Sequence, residues 1–107
     1  MLENNHASLS PEILKKLEAI FACYPNIEAV ILFGSRAMNT NRRNSDIDLC
    51  LQGKQLTMKD MLKIENNIDD LLLPWKLDLV LYHTIDNPKL VQHIQNVGQT
   101  IYLKQDH

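Results

Sequence analysis

Three aspartates lie in strand-like segments, at positions where apolar side chains would otherwise be expected. Asp46 and Asp48 are two residues apart in an alternating segment, so both side chains should point to the same face of a strand. Asp78 lies inside a second apolar segment, Leu77–Tyr82. Neighbouring carboxylates repel each other and are expensive to bury, and a bound divalent cation would relieve both costs. Oxygen ligands of this kind favour magnesium, with manganese as the alternative, over zinc.

A glycine and a serine, Gly34 and Ser35, directly follow the short apolar segment Ala29–Phe33. Glycine lets the backbone approach a phosphate closely, and amides that open a helix favour anions. Each feature alone has an ordinary explanation, because a Gly-Ser pair is common and strand aspartates often face water. Their combination in this order favours a metal-assisted phosphate site.

The remaining sequence predicts the elements that position these residues. The chain has 107 residues, which fit one domain covering 1–107, and the polar residues 1–8 are expected to be flexible. We expect an α/β (α+β) domain with a small mixed sheet of three to four strands and helices packed on it. The expected elements are a helix near 11–23, a strand at 29–33, a strand at 46–51 with one buried face, a helix from a Thr57–Asp60 capping pair to just before Pro74, a strand at 77–82, a helix from Asn87 to Gly98, and a short strand at 100–103.

Composition excludes several functional classes. The net charge of −2, from 11 basic and 13 acidic residues, argues against direct nucleic-acid binding, which normally needs a basic surface. No apolar segment approaches the roughly 20 residues of a membrane span, and the N-terminus has no signal-peptide layout. Cys23 and Cys50 are too few for a zinc site or a disulfide framework, and we expect both to be buried thiols. The chain is therefore expected to be cytoplasmic.

The residues described above resemble a known family. Gly34-Ser35, ten intervening residues and Asp46-Ile47-Asp48 are similar to the GS-x10-D-x-D signature of the DNA polymerase β-like nucleotidyltransferases. The small size and Asp78 as a third carboxylate resemble the minimal nucleotidyltransferase branch, whose members are typically the antitoxin halves of HEPN/MNT toxin–antitoxin pairs. Asn39 stands where the family commonly has glycine, and asparagine is well suited to replace it because it tolerates a left-handed backbone.

The resemblance implies a role for each carboxylate. Asp46 and Asp48 would hold the magnesium ion that bridges the triphosphate and would help to position a second one. Asp78 would complete the second metal site and act as general base toward the acceptor hydroxyl. Two cations beside the α-phosphorus would stabilise both the entering and the leaving oxygen.

The resemblance also implies the nucleotide contacts. The Gly34 amide and the Ser35 hydroxyl would hold the β- and γ-phosphates. Arg36 and Ser45 are expected to bind the nucleotide as well, since arginine suits planar anion recognition.

By the same resemblance, the expected function is magnesium-dependent transfer of AMP from ATP to a tyrosine of a cognate HEPN toxin, which the modification would silence. The expected partners are therefore ATP and the toxin, in a homo- or hetero-oligomer. One alternative is a binding antitoxin that acts by occluding the toxin without chemistry. Another is nucleotidyl transfer to a small-molecule hydroxyl, such as that of an aminoglycoside.

Some other residues have plain expectations. Met58 and Met61 lie at helical spacing and are expected in the core. Trp75 is expected either in the core or as an anchor for a partner. His83 and His93 are expected to be surface or core histidines without a catalytic role.

Overall fold

A computed structural model describes residues 10–33, 47–73 and 77–104. These residues form a four-stranded mixed sheet with helices packed on it, which confirms the expected fold class. In chain order the elements are α1 (Pro11–Ala22), β1 (Ala29–Phe33), β2 (Ile47–Gln52), α2 (Met58–Asp69), β3 (Leu77–Leu81), a 3-10 turn (Tyr82–Thr84), α3 (Pro88–Val97) and β4 (Gln99–Leu103).

The strands lie in the order β3-β2-β1-β4. β1 pairs antiparallel with both β2 and β4, whereas β2 and β3 are parallel. Parallel neighbours need a long crossover connection, which α2 supplies between β2 and β3. As a result, β2 and β3 begin at the edge of the sheet where β1 ends.

The helix starts follow from local sequence. The Ser10 side chain accepts a hydrogen bond from the backbone N–H of Ile13, with proline at the first helical position of α1. Thr57 and Asp60 form the expected capping box at the start of α2. Asn87 caps α3 by accepting a hydrogen bond from the Lys89 amide.

The sheet is covered on both faces. On one face, α1 and α2 pack against the main core cluster, whose buried members are Leu17, Phe21, Ile27, Val30, Leu49, Leu51, Leu56, Ile64, Ile68, Leu77, Leu79, Leu81 and Ile101. On the other face, α3 packs through Ile94 against Phe33 and Cys50. The expectation that β2 has one buried face was therefore wrong, because Asp48 and Cys50 are buried as well as Leu49 and Leu51.

Three further expectations were also wrong in part. α2 ends at Asp69 instead of continuing to the residue before Pro74, and Leu72 has a left-handed backbone with φ of 54°. Met58, the first residue of α2, is exposed, whereas Met61 packs partly against the core. Cys23 is exposed at the end of α1, where its thiol donates to the Ala19 carbonyl.

In the described part of the chain, no helix has both the length and the apolar character needed to cross a bilayer.

Gly53 is required by close backbone approach. A methyl group at this position would overlap the carbonyl oxygen of Asn26 and press on the Leu56 side chain. We therefore expect Gly53→Ala to lower the free energy of unfolding by about 1–3 kcal/mol, as overpacking does in other cores. Urea denaturation measures this loss, with exposed Gln55→Ala as a control expected to stay within about 0.5 kcal/mol of wild type. Equal stabilities for the two variants would contradict the prediction.

The two cysteines should differ in reactivity. Burial raises the pKa of the Cys50 thiol to about 12, so at pH 8 only about one such thiol in ten thousand is ionised. Because the pKa of the folded state is the higher one, the associated stability is present below the unfolded thiol pKa and is lost as pH rises toward about 12. We expect a thiol reagent at pH 8 to modify Cys23 alone until the protein is unfolded. Rapid labelling of native Cys23→Ser would contradict this.

Candidate functional site

Two of the three predicted carboxylates lie side by side at one edge of the sheet. Asp48 on β2 is the direct register partner of Asp78 on β3. Because paired residues of adjacent strands point to the same face, the two side chains project together from strands about 4.8 Å apart. Both residues are the second in their strands, so the pair lies where β2 and β3 begin.

Phe33 extends this pair into a row across three strands. It is the register partner of Asp48 on the opposite side and the last residue of β1. Phe33, Asp48 and Asp78 therefore lie next to one another on the face that α3 covers. Phe33 is also bonded directly to Gly34, the first residue of the predicted phosphate-binding segment.

The two carboxylates differ in their exposure. Asp48 is 6% exposed and is the only charged side chain classed as buried among the described residues. Asp78 is partly exposed. One carboxylate is thus buried while its neighbour is partly accessible to solvent, and low exposure strengthens any electrostatic interaction made there.

An apolar cluster forms the inner wall of the site. Cys50 and Val80 lie two residues further along the same strands, on the same face as Asp48 and Asp78. α3 closes this wall through Ile94. The carboxylates therefore adjoin an apolar cluster along the same strands, and Asp78 is also partly accessible to solvent.

His93 of α3 contacts this row through an aromatic interaction. Its ring meets the Phe33 ring edge-on, with centroids 6.1 Å apart and planes at 76°. We expected no catalytic role for His93, and the sequence contains no spacing signal that links α3 to the end of β1. Only the packing of α3 on the sheet brings the two together.

The donor chemistry of the pair fits a hard divalent cation. Carboxylate oxygens are the ligands that Mg²⁺ prefers, and two adjacent carboxylates attract a cation that offsets their mutual repulsion. Within residues 10–33, 47–73 and 77–104, no three side chains of the ligating types come together. The third predicted ligand, Asp46, lies outside these residues.

Several other predicted site residues also lie outside the described residues. Of all the predicted site residues, the described part of the chain brings together Asp48 and Asp78. The predicted nucleotide contacts outside them are Gly34, Ser35, Arg36 and Ser45. Trp75 is outside them as well.

Comparison with known proteins supports the fold and the family. Two curated proteins of Methanocaldococcus jannaschii, both named as protein adenylyltransferases by inference, are each 29% identical over 85 residues, which cover 78% of this chain and 86% of the relative. A crystal structure of a toxin-antitoxin with AMP-PNP has a TM-score of 0.64 at 23% identity, covering 86% of this chain and 74% of that one. A crystal structure of the toxin-antitoxin MntA-HepT has a TM-score of 0.59 at 22% identity, covering 88% and 69%.

The structural similarities establish the shared fold. The sequence profile of the "Polymerase beta, Nucleotidyltransferase" family matches residues 15–107. This range includes β2 and β3, which carry the two carboxylates, and the segment that connects β1 to β2. The chain therefore belongs to the polymerase β nucleotidyltransferase family.

Proposed function

We propose that this chain is a magnesium-dependent adenylyltransferase that moves AMP from ATP to a hydroxyl group of a partner protein. The observation that carries the proposal is the direct pairing of Asp48 with Asp78 at the start of two parallel strands. In a member of this family, an adjacent pair of carboxylates supports a metal-assisted nucleotidyl transfer.

The carboxylates would divide the work between them. Buried Asp48, with Asp46, would hold the cation that also binds the triphosphate. More exposed Asp78 would face the acceptor and accept the proton of its hydroxyl. When bound, divalent cations would neutralise the phosphate charge and stabilise the entering and leaving oxygens.

The reaction is a displacement at the α-phosphorus of ATP. The acceptor oxygen forms a new bond to that phosphorus, and the bond from the phosphorus to the bridging oxygen breaks. Pyrophosphate leaves with the electron pair of the broken bond, while the hydroxyl proton passes to Asp78. The chain's own contribution is mainly the placement of groups and the electrostatics around them.

The triphosphate would bind at the end of β1. Gly34 follows Phe33 directly in the chain, and Phe33 pairs with Asp48. A segment that starts there would begin beside the carboxylates. We assign the β- and γ-phosphates to Gly34 and Ser35, with Arg36 and Ser45 as further contacts.

The proposed identity of the acceptor is based on the names of the similar proteins and structures. The similar M. jannaschii proteins are named for adenylyl transfer to protein, and the similar crystal structures are toxin-antitoxin complexes, one of them with the ATP analogue AMP-PNP. We propose that the acceptor is a tyrosine of a cognate HEPN toxin in the cytoplasm and that modification silences it. The candidate acceptor is the product of any neighbouring reading frame that encodes a small helical protein.

Divalent cations should stabilise the folded protein through this carboxylate pair. At a concentration of magnesium 100 times its dissociation constant, we expect stabilisation of about 2.7 kcal/mol, seen as a rise in Tm. Asp48→Asn and Asp78→Asn should remove most of this rise, while Asp86→Asn, at an exposed position after β3, should keep it. The same magnesium-dependent rise in all three variants would contradict the metal assignment.

Adenylyl transfer should depend on the same pair. With ATP, magnesium and the candidate acceptor, we expect the intact mass of the acceptor to rise by one or more AMP units. Loss of groups that only support a metal ligand typically costs 10–100-fold, so loss of a ligand itself should slow transfer by about 100-fold or more. Asp48→Asn and Asp78→Asn test this, again with Asp86→Asn as the control.

The same variants separate catalysis from occlusion. If Asp48→Asn binds the toxin with wild-type affinity and still protects cells, occlusion is sufficient for neutralisation. If it binds but does not protect, the transfer reaction is required. No mass gain with wild type, under conditions where the acceptor binds, would refute the adenylyltransferase proposal.

A further inference from the structure

Leu72 has a strained backbone conformation and an apolar side chain that is exposed to solvent. Its φ of 54° lies in the left-handed region, which glycine and asparagine adopt easily and leucine does not. Its side chain is 87% exposed, the largest value among the exposed large hydrophobic residues in the described part of the chain. A glycine would satisfy the backbone here, so folding alone does not explain a leucine.

Packing on both sides holds this leucine outward. Leu71 and Leu73 both pack partly against the main core cluster. The Leu71 amide donates to the Ile68 carbonyl and the Leu72 amide to the Asp69 carbonyl, each at 3.0 Å. The segment is therefore fixed on the body of the protein while one apolar side chain projects from it into solvent.

The charges beside Leu72 also oppose local stability. Asp69 is the last residue of α2 and Asp70 is its C-cap, and both are exposed. The C-terminal end of a helix carries partial negative charge and favours cationic side chains, yet the last turn of α2 has none. Two acidic residues here repel the helix end, but they would attract a cationic surface brought against them.

We propose that Leu72, together with the preceding Asp69 and Asp70, is a docking point for the acceptor protein, which supplies an apolar pocket bordered by cationic side chains. This inference rests on the proposed function, because it takes the acceptor to be a protein. Only six residue steps separate Leu72 from Asp78, so the two are at most roughly 20 Å apart. An interface of standard size is wide enough to include two residues at such a distance, so a protein whose hydroxyl reaches Asp78 can contact Leu72 in the same interface.

Leu72→Gly separates docking from folding, because it removes the side chain and relieves the backbone. We expect the Tm to stay equal or rise, while the dissociation constant for the candidate acceptor, measured by calorimetry, rises at least tenfold. In the transfer assay the KM for the acceptor should rise similarly while kcat is retained. Leu62→Ala is the matched control, since Leu62 is a 54% exposed leucine in the helical backbone of α2, and it should bind the acceptor like wild type.

Charge reversal tests the chemistry of the partner. Asp69→Lys combined with Asp70→Lys should weaken binding and reduce its dependence on salt concentration, because a repulsive contact replaces an attractive one. Wild-type affinity in Leu72→Gly would overturn the docking proposal even if transfer occurs. Sedimentation that shows wild type to be a dimer and Leu72→Gly a monomer would also overturn it, by assigning Leu72 to a second copy. If wild type transfers no AMP but Leu72→Gly still shows the expected loss of acceptor binding, only the proposed function is refuted.

Discussion

The parallel pairing of β2 with β3 is the constraint on which the rest of this structure depends. Antiparallel strands could be joined by a short turn, but a parallel pair requires the chain to return across the sheet, and α2 provides that return. The same pairing makes both strands begin at one edge, so that residues at equivalent positions become neighbours. Asp48 and Asp78 are separated by 29 intervening residues in the sequence, and register alone makes them adjacent.

Placing β2 in the interior of the sheet has a second consequence. Helices cover both faces of the strand, so every described side chain except the terminal Gln52 is buried, including one carboxylate. An aspartate in that position has little access to water, which increases the influence of any cation that approaches it. The edge strand β3 leaves Asp78 more open. A difference between the two carboxylates thus arises from strand order and not from their local sequences.

Local signals in the sequence were sufficient to predict most elements. The caps at Ser10, Thr57 and Asn87 involve residues within three positions of each other, so short-range hydrogen bonding determines them. The exposure of Cys23 and the burial of both faces of β2 depend on which helix covers which face, and no local pattern contains that information. Family resemblance led us to expect Asp48 and Asp78 in one metal site, but their direct strand pairing and the contact of His93 with Phe33 required the tertiary structure.

Departures from local preference help to separate folding from function in this chain. The apolar stripe of α2 continues through Leu71 and Leu72, which is why the helix was expected to extend nearly to Pro74. Instead, the helix ends at Asp69, and Leu72 occupies a backbone region that costs a non-glycine residue about 1–2 kcal/mol. A buried carboxylate at Asp48 is a comparable departure, since an apolar side chain would fold there more readily. We propose that Leu72 is kept for contact with the surface of an acceptor and Asp48 for contact with a cation.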